Sequence, residues 1–290
     1  MNRTALSASV ELLKPITWFA PMWAFMCGLV SAGAPFDGRW LFVLGGVLLA
    51  GPLVCGASQA VNDWFDRHVD AVNQPERPIP SGRLPGRTGL FIAIGATVAS
   101  LIVAAALGAT VFVVGVVALA MAWAYSAPPF RLKNNGWYGN AAVGLCYEGI
   151  PWITGAAVMT GGLPDWRIFT LAALYSIGAH GIMTLNDFKS VEGDLRHGVA
   201  SLPAQLGVAR AARLACWVMA VPQGAVIVLL TLWGMPLAAV AVSILLAGQL
   251  ALMGPLLRDP RAKAAWYNAT GTTLYVLGML AAAIALGLGG

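Results

Sequence analysis

Long runs of apolar residues, separated by short polar segments, follow one another along the whole chain. A helix needs roughly 20 apolar residues to cross the hydrocarbon core of a bilayer. Nine runs approach that length, and each is predicted to be helical because no water satisfies stray backbone groups there. The predicted spans are 16–34, 41–61, 90–108, 110–125, 139–160, 166–186, 212–233, 235–257 and 268–288. The pattern therefore predicts an all-α membrane protein with nine transmembrane helices.

The composition agrees with a bilayer as the solvent. Of the 290 residues, 59% are hydrophobic and only 10% are charged, and the mean hydropathy is +0.76. A soluble domain usually carries about 25% charged residues, so this chain cannot cover itself with a water-compatible surface. We expect one integral membrane domain over residues 1–290.

Basic residues lie unevenly between the two sets of loops that these spans define. Of 17 lysines and arginines, all but Arg39 and Arg167 fall in the N-terminal tail or in the loops after the second, fourth, sixth and eighth spans. The positive-inside rule makes that set cytoplasmic and places the N-terminus inside. The net charge of +5 is then explained by topology, so we expect no nucleic-acid partner.

Seven of the twelve acidic residues fall within 62–76 and 187–194, six of them in two short segments of similar sequence. The first reads NDWFDRHVD from Asn62 to Asp70, and the second reads NDFKSVEGD from Asn186 to Asp194. Each follows an even-numbered span, and the two spans are four apart, so both segments emerge on the same face. The repetition suggests a pseudo-repeat of spans 1–4 and 5–8, an arrangement that often brings functional segments together in membrane proteins.

Helical spacing gives these segments a chemical interpretation. At about 100° per residue, the polar residues of each segment fall on one stripe of a continued helix. The stripes comprise Asn62, Asp63, Asp66 and Asp70, and Asn186, Asp187, Ser190 and Asp194. Carboxylates so close together repel one another unless a cation neutralises them. Mg²⁺ suits such a site, because it takes one or two carboxylates and fills its shell with water and phosphate oxygens.

Cations beside the carboxylates indicate a phosphate-containing substrate. Arg77 lies in a rigid, proline-rich loop after the first segment, and Lys133 lies in a third predicted cytoplasmic segment that begins at Tyr125. Arginine binds phosphate as a planar fork and lysine as a point charge. The candidate diphosphate-binding residues are Arg77, Tyr125, Lys133 and Lys189, and Arg67 is a candidate catalytic residue. Solvated helix ends and the cation site of a transporter are the alternatives for these charges.

Two further polar residues fall inside predicted spans. Glu148 lies in the fifth span and His180 in the sixth. A polar group in the membrane interior is costly, so each is either a functional residue or a partner in a helix–helix hydrogen bond. His180 precedes Asp187 by seven residues, about 10 Å along a helix, and so could contact a bound acceptor.

Together these motifs resemble a known family. NDxxDxxxD from Asn62, followed by RPxPSG from Arg77, resembles the first signature of the UbiA superfamily of intramembrane prenyltransferases. The sequence YSxPPxRLK from Tyr125 is similar to the middle loop of that superfamily. The second acidic segment, with YEG around Glu148 and GAHGIMTL around His180, resembles its chlorophyll and bacteriochlorophyll synthase branch.

The resemblance implies a nine-helix bundle that esterifies the propionate of (bacterio)chlorophyllide a with geranylgeranyl or phytyl diphosphate. It implies Mg²⁺ bound by Asp63, Asp66, Asp70, Asp187 and Asp194, with Asn62 and Arg67 beside them in catalysis. Glu148 and His180 would then bind the pigment. The cell inner membrane or a photosynthetic membrane is the expected location, and pigment-biosynthesis or photosystem-assembly proteins are the expected partners there.

Several alternatives stay open on the sequence. Many superfamily members carry Asp where this chain has Ser190, which leaves the ligands of a second metal open. The acceptor could instead be a quinone precursor, homogentisate or protohaem. A cation-coupled transporter and a pigment-binding structural protein are the alternatives outside the superfamily.

Overall fold

The protein, for which a computed structural model describes residues 3–289, is helical over almost all of that range. Its helices are α1 (Arg3–Leu12), α2 (Phe19–Ser31), α3 (Trp40–Asn73), α4 (Thr88–Leu107), α5 (Ala109–Ser126), α6 (Gly136–Thr160), α7 (Trp166–Asn186), α8 (Val191–His197), α9 (Leu202–Leu206), α10 (Val208–Leu232), α11 (Pro236–Arg258) and α12 (Pro260–Gly289). Short 3₁₀ turns lie at Pro15–Thr17, Leu132–Asn134 and Asp187–Lys189.

The predicted all-α membrane architecture is confirmed. Within residues 3–289, eight helices are long and apolar enough to span a membrane, and a bent pair makes a ninth. That pair, Ala5–Thr17 and Phe19–Ser31, is bent by 56°, and its second helix overlaps the first predicted span. Proline at position 15 suits this break, because it removes a backbone donor and fixes φ.

Two spans change their helical register in the middle. A π-helical section occupies Leu49–Cys55 in α3, and another occupies Leu145–Gly149 in α6. Such π-helical insertions are rare in proteins, and those that occur are often found at functional sites. Pro52 lies inside the first section, where its missing N–H removes one backbone hydrogen bond.

Helices α2 and α6 form the centre of the bundle and contribute to both of its large apolar clusters. They pack closely because small residues face each other across the contact. A Cβ atom at Gly28 would overlap the backbone carbonyl of Trp152, and one at Gly155 would overlap that of Phe25. Small residues at helix interfaces allow this approach of backbones in membrane proteins.

The two acidic segments differ in backbone structure, contrary to the matching stripes that their spacing predicted. The first continues α3 to Asn73 without a break. The second does not continue α7, which ends at Asn186 and is followed by the turn Asp187–Lys189 and the separate helix α8. The Ser190 hydroxyl donates to the Asp187 carbonyl (3.0 Å), a local bond that competes with a continued helix.

Candidate active site

The first acidic segment is held by cations from two other parts of the chain. The Lys14 ammonium donates to Asp63 Oδ1 (2.7 Å). Arg77 Nη1 lies 2.7 Å from Asp70 Oδ2 and 3.3 Å from Asp63 Oδ1, so it joins carboxylates that are two turns apart. Asp63 and Asp70 are both buried. Buried carboxylates require such partners, because an unpaired charge away from water is strongly unfavourable.

Asp66 and Lys133 connect the first segment to the loop before α6. The Lys133 ammonium donates to Asp66 Oδ1. Burial lowers the pKa of Lys133 below that of an ordinary lysine, and the hydrogen bond to Asp66 opposes this shift. Arg67 has a different environment, because its guanidinium lies over the Trp64 ring at 4.2 Å and donates to the Trp64 carbonyl.

In the part of the chain that the structure describes, Asp187 and Asp194 of the second segment accept hydrogen bonds from neutral side chains. Asn140 Nδ2 donates to Asp187 Oδ2 (3.2 Å) and to the Thr184 hydroxyl (3.3 Å). The Ser190 hydroxyl, whose single proton is shared with the Asp187 carbonyl, also lies 3.0 Å from Asp194 Oδ2. Lys189 is exposed and lies within electrostatic range of Asp187.

Tyr125 is influenced electrostatically by both acidic segments. It lies at the end of α5, within electrostatic range of both Asp66 and Asp187. One aspartate from each acidic segment therefore lies within electrostatic range of the same side chain. The pseudo-repeat itself stays a prediction.

These residues have the donor chemistry that Mg²⁺ requires. No group of three or more His, Cys, Asp or Glu among the described residues forms a complete metal site by itself. Mg²⁺ does not need one, since it is commonly held by one or two carboxylates together with substrate phosphates and water. Asp66 and Asp187, which both lie within electrostatic range of Tyr125, are the candidates for those carboxylates.

An apolar cavity of about 220 Å³ extends into the bundle from Asn62 and Tyr125; we call it cavity 1. Apolar residues of α3 and α5 line it, among them Leu49, Val54 and Ala118. Both π-helical sections contribute to its wall, so the change of register in α3 and α6 helps to shape it.

A second cavity, cavity 2, has a volume of about 480 Å³ and lies between α2, α6, α7 and α12. Val143, Tyr147 and Met183 line both cavities and form a common wall. Ile16 and Phe19 line cavity 2 while exposing 89% and 64% of their surface, so the cavity borders the apolar exterior.

Glu148 and His180 occupy different surroundings. Glu148 lies in the π-helical section of α6 and lines cavity 2. It is only 5% exposed, and its Oε2 is buried without a hydrogen-bond partner among the described residues. His180 lines neither cavity, and its ring contacts that of Trp137 at 5.9 Å.

The sequence reasoning missed Lys14 and Asn140, the partners of Asp63 and Asp187. Lys14 is one of the basic residues that indicate a cytoplasmic N-terminus. Its position directly before Pro15 also marks a rigid site at a membrane face. Asn140 is a buried polar residue within a span, and that property alone made it a functional candidate.

The geometry and the sequence lead to the same class of protein. Residues 20–276 match the UbiA prenyltransferase family, and the chain belongs to that family. The match covers all but the two ends of the chain, so the predicted membership of the superfamily is confirmed.

Similar proteins within the family point to one branch. The chain is 58% identical to the bacteriochlorophyll synthase 33 kDa chain of Cereibacter sphaeroides, over 96% of this chain and 92% of that relative. It is 34% identical to the chloroplastic chlorophyll synthase of Arabidopsis thaliana, over 95% of this chain and 73% of that protein.

Solved structures share the fold at low sequence identity. A UbiA homolog from Archaeoglobus fulgidus bound to DMAPP and Mg²⁺ has a TM-score of 0.72 and 17% identity, over 94% of this chain and 98% of that one. A digeranylgeranylglyceryl phosphate synthase has a TM-score of 0.76 and 20% identity, over 97% of this chain and 99% of that one.

Proposed function

We propose that this chain esterifies the propionate of (bacterio)chlorophyllide a with geranylgeranyl or phytyl diphosphate and releases diphosphate. The observation that carries the proposal is the 58% identity to a bacteriochlorophyll synthase over nearly all of the chain. The geometry supports it, because the two acidic segments flank the adjoining ends of two separate cavities.

Each cavity suits one substrate. Cavity 1 is the smaller and is lined mainly by apolar residues, and it begins at Asn62 beside the first acidic segment, which suits a prenyl chain. Cavity 2 is the larger and borders the apolar exterior, which suits a membrane-soluble macrocycle. In this proposal Glu148 contacts the macrocycle within cavity 2, and His180, which lies outside cavity 2, contacts a part of the pigment that extends beyond it.

The reaction needs departure of one anion and attack by another. The bond between the allylic carbon and the diphosphate oxygen breaks, and its electron pair leaves with the diphosphate. A propionate oxygen forms the new bond to that carbon, and it needs no general base because a carboxylate is already ionised at neutral pH. Mg²⁺, when bound by the aspartates, supplies positive charge that neutralises the leaving diphosphate.

The cationic side chains contribute charge from fixed positions. Lys133, Arg77 and Lys14 already lie at the aspartates of the first segment, where a bound diphosphate would meet them. Lys189 belongs to the second segment itself and lies in the 3₁₀ turn Asp187–Lys189. Preorganised charge of this kind stabilises the transition state because the groups need not move as the reaction proceeds. The surrounding helices exclude water from the reacting carbon.

Product analysis of the purified protein tests the proposal. Protein in detergent receives chlorophyllide a or bacteriochlorophyllide a with either diphosphate, and esterified pigment and released diphosphate are measured together. We expect one diphosphate per ester, and none once divalent metal is chelated. Prenylation of homogentisate, a quinone precursor or protohaem, without any pigment ester, would favour another member of the family. Uptake into vesicles without diphosphate release would favour a transporter.

A further inference from the structure

A chain of hydrogen bonds joins α12 to the second acidic segment along the wall of cavity 2. The Thr272 hydroxyl donates to Asn268 Oδ1 (3.1 Å), and Asn268 Nδ2 donates to Asn186 Oδ1 (2.7 Å). All three residues line cavity 2. Asn186 directly precedes Asp187, so their Cα atoms are about 3.8 Å apart.

The hydrogen bonds of this series run from Thr272 through Asn268 to Asn186, so N–H donors remain on the Asn186 amide. Both amide oxygens are occupied as acceptors, while among the described residues the Asn186 amide nitrogen has only the Met183 sulfur as an acceptor, at 3.7 Å. Thioether sulfur is a weak acceptor, so this amide still has N–H groups to offer. Asn62, the corresponding residue of the first segment, instead donates to the Ser126 hydroxyl (3.2 Å).

Cavity 2 offers an anion no positive side chain. Among the described residues that line it, none is a lysine or an arginine. Its described polar side chains are Thr17, Trp23, Tyr147, Glu148, Asn186, Asn268, Thr272 and Thr273. An acidic group entering the cavity would therefore be received by neutral amides at the end that adjoins Asp187, with Glu148 also in the lining.

We propose that Asn186 and Asn268 form the binding site for the carboxylate of the acceptor, with Thr272 fixing the orientation of Asn268. The inference rests on the proposed function, since it assigns the propionate to a defined place in cavity 2. Hydrogen bonds to an ionised carboxylate are stronger than those between neutral groups. Neutral amides bind it without neutralising it as a lysine or arginine ion pair would, and so leave the attacking oxygen negative. The position of Asn186 beside Asp187 brings that oxygen towards the diphosphate end of the prenyl donor.

The test compares two pigments that differ only at the propionate. Bacteriochlorophyllide a and its propionate methyl ester are titrated into the purified protein without prenyl diphosphate, and binding is followed by the pigment spectrum. We expect the unsubstituted protein to prefer the acid by about 10- to 100-fold, the usual effect of hydrogen bonds to a charged group. Asn268→Leu should bring the ratio close to one and leave the affinity for the ester unchanged.

A second variant and a control make the outcome decisive. Asn268→Asp keeps the side-chain size but replaces the donors with a negative charge, and it should favour the ester over the acid. Thr270→Val is the matched control, since Thr270 lies on the same helix outside both cavities and donates to its own backbone. An unchanged acid-to-ester ratio in both Asn268 variants, with normal ester synthesis by the unsubstituted protein, would overturn this site alone. Absence of ester synthesis by the unsubstituted protein would instead contradict the proposed function.

Discussion

At the scale of single residues, the first acidic segment is a set of carboxylates that already have partners. Asp63, Asp66 and Asp70 contact Lys14, Lys133 and Arg77, which come from three different loops or turns. The sequence predicted that like charges on one stripe require a neutralising cation. The described structure shows that side chains of the protein supply part of that charge. A diphosphate with Mg²⁺ would add one strongly negative and one strongly positive group to this network.

The metal-binding role predicts a large effect of a small substitution. Asp66→Asn preserves shape but removes the negative charge between Lys133 and Tyr125. We expect turnover to fall by at least about 10²-fold, because the charge that develops on the leaving group loses its compensation. Ester formation at saturating substrates, at matched protein levels in the membrane, measures this.

Glu192→Gln is the matched control for that experiment. Glu192 is exposed in α8, within the second segment but outside its polar stripe, and its ion-pair partner is Arg261, at 3.7 Å. Its loss should leave turnover near that of the unsubstituted protein. Full activity of Asp66→Asn under the same conditions would exclude the proposed role of the first segment.

We expect different effects on pigment binding when the two polar residues inside the spans are substituted. Glu148 lines cavity 2 with an unpartnered oxygen, whereas His180 packs against Trp137. If both bind pigment, Glu148→Leu and His180→Phe should each raise the KM for the pigment and leave that for the diphosphate unchanged. We expect the larger increase, about tenfold, for Glu148→Leu, since it loses a hydrogen bond inside the cavity. An equal change in both KM values for His180→Phe would make it a packing residue.

At the scale of helices, the sequence predicted where the spans lie but not how they meet. Runs of apolar residues define the helices because burial in hydrocarbon requires a helix whatever its neighbours are. The continuation of α3 through Asp70 followed from the spacing of its acidic residues. The end of α7 at Asn186 did not, because it depends on the local hydrogen bond of Ser190. The partners Lys14 and Asn140 could not be assigned, because contacts across 49 and 47 residues leave no periodic signal.

Because α2 and α6 are in close contact, we expect a larger side chain at that contact to destabilise the protein. Gly155→Ala places a methyl group where the Phe25 carbonyl lies, so the helices must separate. Overpacking of this kind costs about 1–3 kcal/mol. We expect a lower midpoint of thermal unfolding in detergent, together with weaker binding of pigment. Gly224→Ala is the control, because no atom lies within 4 Å of its added Cβ, and it should unfold like the unsubstituted protein.

At the scale of the whole molecule, the arrangement of the two cavities follows the apparent repeat in the sequence. Asn62 and Asn186 hold the same place in the two acidic segments, and they line cavities 1 and 2 respectively. Val143, Tyr147 and Met183 line both cavities and form the wall between them. The pseudo-repeat itself stays a hypothesis, and in this arrangement each half would present one substrate to a common polar site.

The orientation of the molecule in the membrane is the last prediction, and it rests on the uneven distribution of basic residues. In an active variant without the four native cysteines, single cysteines are introduced as Gln74→Cys, Arg196→Cys and Leu163→Cys, all at exposed positions. Positions 74 and 196 follow the second and sixth spans and should react with an impermeant thiol reagent only from the cytoplasmic face. Position 163 follows the fifth span and should react only from the opposite face. Reaction of position 74 or 196 with the reagent added outside intact cells would contradict this topology. The diphosphate would then have to reach the enzyme from outside the cytoplasm.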